Sequence, residues 1–265
     1  MASFWLGAKA SARGYRLFGY DTIGSTNSEA AQAARNGDAG NVWFATLQQT
    51  AGRGRRGRAW ETPAGNLGAS LLVAPDTDPS VAATLGFVAG VALHRALRDW
   101  LPPAADGGGR LALKWPNDLL ADGAKLAGIL LEAQSGPSGG ISVTIGIGVN
   151  VVEVPLGLPY RATSLRELGV TAAAADILGS LSDSWVDCYD LWDAGRGVAD
   201  ILELWRQSAA GIGTEVAVSQ DGVTASGIFE TIDDAGRLII RANDNSRVAI
   251  SAGDVHFGAT ASILK

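Results

Sequence analysis

The segment ISVTIGIGVN, residues 141–150, alternates without a break. Ile141, Val143, Ile145, Ile147 and Val149 point one way; Ser142, Thr144, Gly146, Gly148 and Asn150 point the other. An apolar face this regular has to lie on a core. Glycine inside a strand is unfavourable and marks close approach of a ligand or of another backbone. The chain therefore needs a sheet with one packed face and, at this point, one face kept bare that ends in a polar amide.

The neighbouring segments supply the rest of such a sheet. NVWFATLQQ (41–49) alternates as a strand, and GNLGASLLVA (65–74) is another, with Leu67, Ala69, Leu71 and Val73 on one face. KLAGILLEAQ (125–134) reads as a strand joined to 141–150 through SGPSGG, and LALKWPNDLLA (111–121) as a strand running into a turn, because Pro116 biases Trp115 to an extended conformation. Three stretches are helical. STNSEAAQAARNG (25–37) carries Thr26 and Glu29 as a capping box and Gly37 as the C′ glycine. SVAATLGFVAGVALHRALRDW (80–100) puts Leu85, Val88, Ala92 and Ala96 on one face, and PPAADGGGR (102–110) follows as a loop. From residue 171 a stripe of Ile177, Leu181, Trp185, Cys188 and Trp192 leads to a further helix, VADILELWRQSA. After about Gly211 the texture changes to short strands, TEVAVS, VTASGIFETI, RLIIRA and RVAIS, separated by QDG, DDAG and NDNS turns. With 265 residues there is length for one medium domain and a small one, and residues 1–210 and 211–265 are the expected division.

Against this background QQTAGRGRRGRAW, residues 48–60, stands out. Arg53, Arg55, Arg56 and Arg58 alternate with Gly52, Gly54 and Gly57, in a chain whose net charge is −6 and whose pI is about 4.9. An acidic chain is poorly suited to nucleic acid, whose binding rests on neutralising phosphates. An RGG-like RNA segment belongs in a disordered region, whereas this one lies between two strands. Glycines let main-chain N–H groups approach an anion, and arginine forks suit carboxylate and phosphate. A loop that grips a small anionic ligand is the expected role. It is neither a Walker A loop nor a dinucleotide fingerprint.

Two lysines extend the pattern. Lys114 and Lys125 sit in otherwise apolar segments, near a turn that carries Asn117 and Asp118, and Ala127 and Gly128 leave room for a ligand against the backbone. Ser25, Thr26 and Asn27 open a helix, where hydroxyls and an amide are ordinary caps but free donors also await an acceptor. Among the remaining candidates, His94, Cys188, Trp185, Trp192 and Trp205 read as structural. The single cysteine allows no intrachain disulfide. The start MASFWLGAKASARGYRLF lacks the apolar region of a signal peptide, and no uninterrupted apolar run of membrane-spanning length occurs. A soluble cytoplasmic protein is expected.

Taken in order, STN, QTAGRGRRGRAW, KWPND, KLAGIL and GIGVN resemble the biotin protein ligase family, and TSLRELG and DDAGRLII…VAISAGDV resemble the rest of it, over residues 20–257. The resemblance implies an α/β (α+β) fold: a mixed β-sheet catalytic domain flanked by helices, related to class II synthetases and lipoate ligases, plus a small C-terminal SH3-like β-barrel. It implies that biotin and Mg-ATP form biotinyl-5′-AMP, which is attacked by a lysine of an apo biotin carboxyl carrier protein domain. The motif STN begins at residue 25, so the type without a DNA-binding domain is expected, with no nucleic-acid or membrane partner, as a monomer or homodimer.

By the same resemblance, Lys125, Arg53 and Arg55 are the catalytic residues. Arg53 takes the biotin carboxylate, Arg55 retains the adenylate, and Lys125 bridges carboxylate and phosphate. Ser25, Thr26, Asn27 and Gln49 read the ureido ring. Gly52, Gly54 and Gly128 line the biotin site. Trp60 stacks on adenine, and Arg58, Lys114, Asn117 and Asn150 lie on the ATP and magnesium side. Mg²⁺ is held mainly through ATP phosphates, with no dedicated protein cage. Where many members carry an arginine near the C-terminus, this chain has AGDVHFGATA, with His256 as the nearest basic residue. The alternatives are a lipoate-type ligase, a non-catalytic biotin sensor and an RNA-binding module.

Overall fold

The alternating segment is a strand near the middle of a seven-stranded sheet. The computed structural model describes residues 3–102, 109–135, 140–220 and 223–258. Most of the loops read at 102–110 and 135–140, and of the turn at 220–222, lies outside those residues. In chain order the elements are α1 (Ala8–Ala12), β1 (Arg16–Ile23), α2 (Thr26–Arg35), β2 (Val42–Gln49), β3 (Leu67–Val73), α3 (Pro79–Ala82), α4 (Leu85–Arg98), β4 (Leu111–Lys114), β5 (Asp118–Ala121), β6 (Ala124–Ser135), β7 (Ile141–Val149), α5 (Ala174–Trp192) and α6 (Val198–Gln207). Five further strands follow: β8 (Glu215–Gln220), β9 (Val223–Ile232), β10 (Leu238–Arg241), β11 (Arg247–Ile250) and β12 (Asp254–Phe257).

The first sheet has the order β1-β2-β3-β7-β6-β5-β4. Only the β1–β2 pair is parallel, so the sheet is mixed, as expected. Its central strands are buried on both sides. On one face Trp43, Leu67, Leu71, Ile145 and Ile147 meet the helices α4, α5 and α6. On the other, Val42, Phe44 and Leu72 pack against Ala30 and Ala34 of α2. The expected stripes are all buried: Leu85, Val88, Ala92 and Ala96 on α4, and Ile177, Leu181, Trp185, Cys188 and Trp192 on α5. Burial of an aliphatic side chain such as Ile177 or Leu181 contributes roughly 1.5–3 kcal/mol.

Two local readings are corrected. The long helix of 80–100 is two helices, α3 and α4, broken at Ala83–Thr84. Thr84 Oγ1 donates to the Val81 carbonyl at 2.6 Å and accepts from Trp192 Nε1 at 2.8 Å, so it serves the junction rather than a helical surface. The expected capping box on α2 does not form: Ser25 is the N-cap, and the Thr26 hydroxyl turns inward to Gln49. LALKWPNDLLA does run from a strand into a turn: β4 ends at Lys114 and the turn opens at Trp115, where the Trp115–Pro116 peptide is cis. Gly37 does take the C′ position of α2, with φ +85°. On composition alone, Pro79–Arg98 is apolar enough to cross a membrane, yet more than half of it is buried inside the fold.

The second sheet is antiparallel, in the order β11-β10-β9-β8-β12. Its last strand, DVHF, was not read from the sequence. The turn after β9 anchors this sheet. Trp115 Nε1 donates to the Gly236 carbonyl at 2.9 Å, and Arg206 Nε to the Ile232 carbonyl at 3.1 Å. Gly236 has φ +73°, and a Cβ there would lie 2.4 Å from the Phe87 ring, so only glycine allows this approach. The anchoring sets β12 beside the arginine-glycine loop.

Candidate active site

Strand register creates the floor of the site. Gly68 of β3 pairs with Gly148 of β7, and Gly148 with Gly128 of β6. Three glycines thus lie side by side across three strands, and Asp118 of β5 continues the row. The indole of Trp60 occupies the space: a Cβ on Gly148 would sit 2.3 Å from it, and one on Gly128 3.1 Å. One row further along, Ser70 pairs with Gly146, and a Cβ on Gly146 would lie 2.2 Å from Asn27 Oδ1. The bare face read from the sequence is therefore a seat for Asn27 and Trp60.

The start of α2 forms a buried polar cluster. Ser25, Thr26, Asn27 and Ser70 are all buried. Gln49 Oε1 accepts from the Thr26 amide at 3.0 Å and lies 3.2 Å from its hydroxyl, while Gln49 Nε2 donates to Thr62 Oγ1 at 3.2 Å. The Ser70 hydroxyl lies 2.7 Å from Thr26 Oγ1 and 2.5 Å from Asn27 Oδ1. Asn27 Nδ2 donates to Glu132 Oε2 at 2.7 Å. Ser25 Oγ, on a residue 5 % exposed, has no protein partner among the described residues. A buried polar atom left so is costly unless a ligand satisfies it.

The arginine-glycine loop is a tight hairpin. Trp60 N donates to the Gly52 carbonyl at 3.0 Å and Gly54 N to the Arg58 carbonyl at 2.8 Å. Gly52 is needed at the neck, since a Cβ would lie 2.3 Å from the Trp60 carbonyl oxygen. The tip turns through Arg56 and Gly57, both at positive φ. Each arginine then meets an acceptor. Arg53 Nη2 donates to Glu132 Oε2 at 3.1 Å. Arg55 Nη1 donates to Asn117 Oδ1 at 3.1 Å and to the Gly253 carbonyl at 3.4 Å. Arg56 reaches Asp254 at 3.5 Å, and Arg58 pairs with the same carboxylate. Arg56, which had no assigned role, is thus tied to β12. Burial lowers the pKa of Arg55. Burial would raise the Asp254 carboxyl, but Arg58, Arg56 and Arg55 outweigh it and hold the group below the ordinary carboxylate range.

Lys125 projects into the cleft from β6. Its ammonium lies 2.7 Å from Asp118 Oδ1, between the rings of Trp60 and Tyr160 at 5.5 and 5.4 Å. Lys114 lies 5.3 Å from the Phe257 ring; burial first, then the neighbouring Lys125, lowers its pKa.

Together these side chains enclose a cavity of about 120 Å³. Ser25, Thr26, Asn27, Gln49, Arg53, Gly54, Arg55, Arg58, Trp60, Asn117, Lys125 and Gly128 line it. Three expected residues do not. Gly52 is at the loop neck, and Lys114 is set against Phe257. Asn150 lines an adjoining cleft with Trp60, Leu158 and Tyr160, its Nδ2 bonded to the Thr163 carbonyl at 3.1 Å. Sequence reasoning missed Glu132, Asp254, Ser70 and Tyr160. A lone carboxylate in the apolar strand KLAGILLE was the available signal for Glu132; nothing local marked the others. Among the described residues no cluster of three or more His, Cys, Asp or Glu is arranged to hold a metal.

Residues 23–151 match the model of the biotin/lipoate A/B protein ligase family, and residues 211–258 that of the biotin protein ligase C terminal domain. The chain is 40% identical over 240 residues to a biotin–[acetyl-CoA-carboxylase] ligase of Paracoccus denitrificans, covering 88% of this chain and 97% of the relative. It is 35% identical over 246 residues to the ligase of the same name from Mycobacterium tuberculosis, covering 88% and 85%. The fold is similar to that of a biotin protein ligase from Aquifex aeolicus in complex with biotin and ATP, with a TM-score of 0.76 at 21% identity, over 92% of this chain and 99% of the other.

Proposed function

Because the chain belongs to the biotin protein ligase family, we infer that it is an ATP-dependent biotin ligase that modifies the carrier domain of a biotin-dependent carboxylase such as acetyl-CoA carboxylase. One observation carries the assignment of the site: a buried polar cluster and the cations Arg53 and Lys125 line one and the same cleft. A ureido ring offers one carbonyl acceptor and two N–H donors, and so answers Ser25, Thr26, Asn27 and Gln49. The dithiolane of lipoate has no N–H or carbonyl, and would leave Ser25 Oγ, which has no protein partner among the described residues, unpaired at a cost of about 1–3 kcal/mol.

The chemistry follows from charge. A carboxylate is a poor electrophile, because its leaving group would be oxide. A carboxylate oxygen of biotin attacks the α-phosphorus of ATP and pyrophosphate departs, leaving an acyl adenylate. Two anions must meet, so fixed cations stabilise both and the charge that builds between them. In this reading Arg53 takes the carboxylate, Lys125 bridges it to the α-phosphate, and Arg55 retains the adenylate. Gly54 and Gly128 are assigned to backbone contact with the ligand, while Gly52 serves the neck of the loop. The carrier lysine then attacks the acyl carbon and AMP leaves.

Trp60 is assigned to adenine, supported by the adjoining apolar cleft of Pro155, Leu158 and Tyr160. Arg58, Lys114, Asn117 and Asn150 are assigned to the ATP and magnesium side, Asn150 from the cleft it shares with Trp60. Magnesium enters as part of the substrate Mg-ATP. The division at 210/211, a cytoplasmic setting and a monomeric or dimeric state belong to the same proposal; the unpaired, buried Cys188 asks for no oxidising compartment.

The test is a streptavidin blot of an apo carrier domain incubated with the protein, biotin and Mg-ATP. Labelling that requires all three supports the reading; no labelling by folded protein rejects it.

A further inference from the structure

We propose that Glu132 is a positioning residue that fixes the polarity of the Asn27 carboxamide, and so sets the hydrogen-bond pattern the cleft offers to the ring of its ligand. The inference rests on the biotin reading above.

Glu132 stands on β6, on the same face as Gly128, two positions beyond Leu130. One oxygen, Oε2, accepts from Asn27 Nδ2 at 2.7 Å and from Arg53 Nη2 at 3.1 Å. A carboxamide has a donor end and an acceptor end, and its neighbours decide which faces where. Turning Asn27 over would bring its carbonyl oxygen against the Glu132 carboxylate, acceptor against acceptor. The carboxylate therefore holds the NH₂ toward itself. Oδ1 is left over Gly146, beside the Ser70 hydroxyl, on the wall of the cleft. That is an acceptor suited to a ureido N–H. Ser70 cannot enforce this alone, because a hydroxyl can donate to an oxygen or accept from an NH₂.

Glutamine at 132 keeps size and shape but offers an acceptor or a donor, so Asn27 loses its enforced orientation. The measurement is calorimetric titration of the full chain, wild type and Glu132→Gln, with biotin and with a biotin methylated on a ureido nitrogen. Both ligands carry the same carboxylate, so any change at Arg53 cancels in the ratio of their affinities. Loss of one charge-assisted contact is expected to weaken biotin on the order of 10-fold and to shrink the preference over the methylated ligand by a similar factor. The thermal midpoint of the variant should match wild type, which separates positioning from general loosening. A Glu132→Gln protein with unchanged biotin affinity and unchanged preference overturns the inference and leaves the ligase reading intact. Failure of wild type to bind biotin overturns both.

Discussion

Lys125 and Asp118 form an ion pair across the β5–β6 hairpin, with Nζ 2.7 Å from Oδ1 and side chains 18% and 19% exposed. The pair aims the ammonium into the cleft, flanked by Trp60 and Tyr160. Lys125→Ala removes the cation and strands Asp118 in a half-buried position. Adenylate formation should fall by at least about 1,000-fold, in line with loss of a preorganised charge at the reacting centre. Pyrophosphate release in a single turnover measures it; a loss below 10-fold would contradict the role.

Arg55→Gly should act differently. Arg55 joins the loop to Asn117 and to the Gly253 carbonyl. Its loss should leave adenylate formation within about 10-fold of wild type while the adenylate escapes more than 10-fold faster. Release is followed by trapping free biotinyl-AMP. Equal, modest effects on formation and release would reject the assignment.

Asp254 is the counter-charge of the loop. The sequence alone predicts a mobile loop, since like charges repel and glycines add chain entropy. The structure supplies acceptors from three distant places: Glu132, Asn117 and the β12 strand. Asp254→Asn should raise hydrogen exchange of residues 52–60 several-fold, with no change in α5. Unaltered exchange in the loop would mean that this contact does not restrain it.

If Lys114 serves ATP as proposed, the ATP step should be sensitive to alkali. Its folded pKa lies below the ordinary 10.5. As pH rises through that lowered value, the ammonium is lost earlier than in an ordinary lysine, and KM for ATP should climb. The sign for stability is opposite: between the lowered value and 10.5 the unfolded chain binds more protons, so this group's contribution to stability rises with pH. Lys114→Arg keeps its charge and should flatten the alkaline limb of the KM profile; an identical limb in both proteins would exclude Lys114 as its origin.

Gly148→Ala tests the floor. The new Cβ would lie 2.3 Å from the Trp60 indole, so the ring must leave. Overpacking of this kind costs about 1–3 kcal/mol in urea unfolding. Adenylate formation should fall with it, and an alanine variant as stable and active as wild type would show that Trp60 does not need this seat.

The sheet and the helical stripes were legible because each rests on periodicity within one segment, as in β7 and α5. What failed was local detail governed by distant partners. The Thr26 hydroxyl left its cap for Gln49, and Thr84 broke a helix to meet Trp192. Gly128 and Gly148 were each visible as bare positions, but their alignment with Gly68 depends on strand register, which no single segment encodes. The cations of the cleft could be read as residues, whereas the carboxylates that aim them, Glu132 and Asp254, lie 79 and 196 positions from the arginines they hold. β12 is as short as β10 and β11, but DVHF carries two apolar residues where LIIR and RVAI carry three, a weaker strand signal.

The most direct measurement of the central claim is isotope exchange between pyrophosphate and ATP, with biotin present or absent. Adenylate chemistry predicts exchange that requires biotin, is not supported by lipoate, and is lost in Lys125→Ala. Exchange driven by lipoate, or none with biotin and folded wild-type protein, would contradict the account.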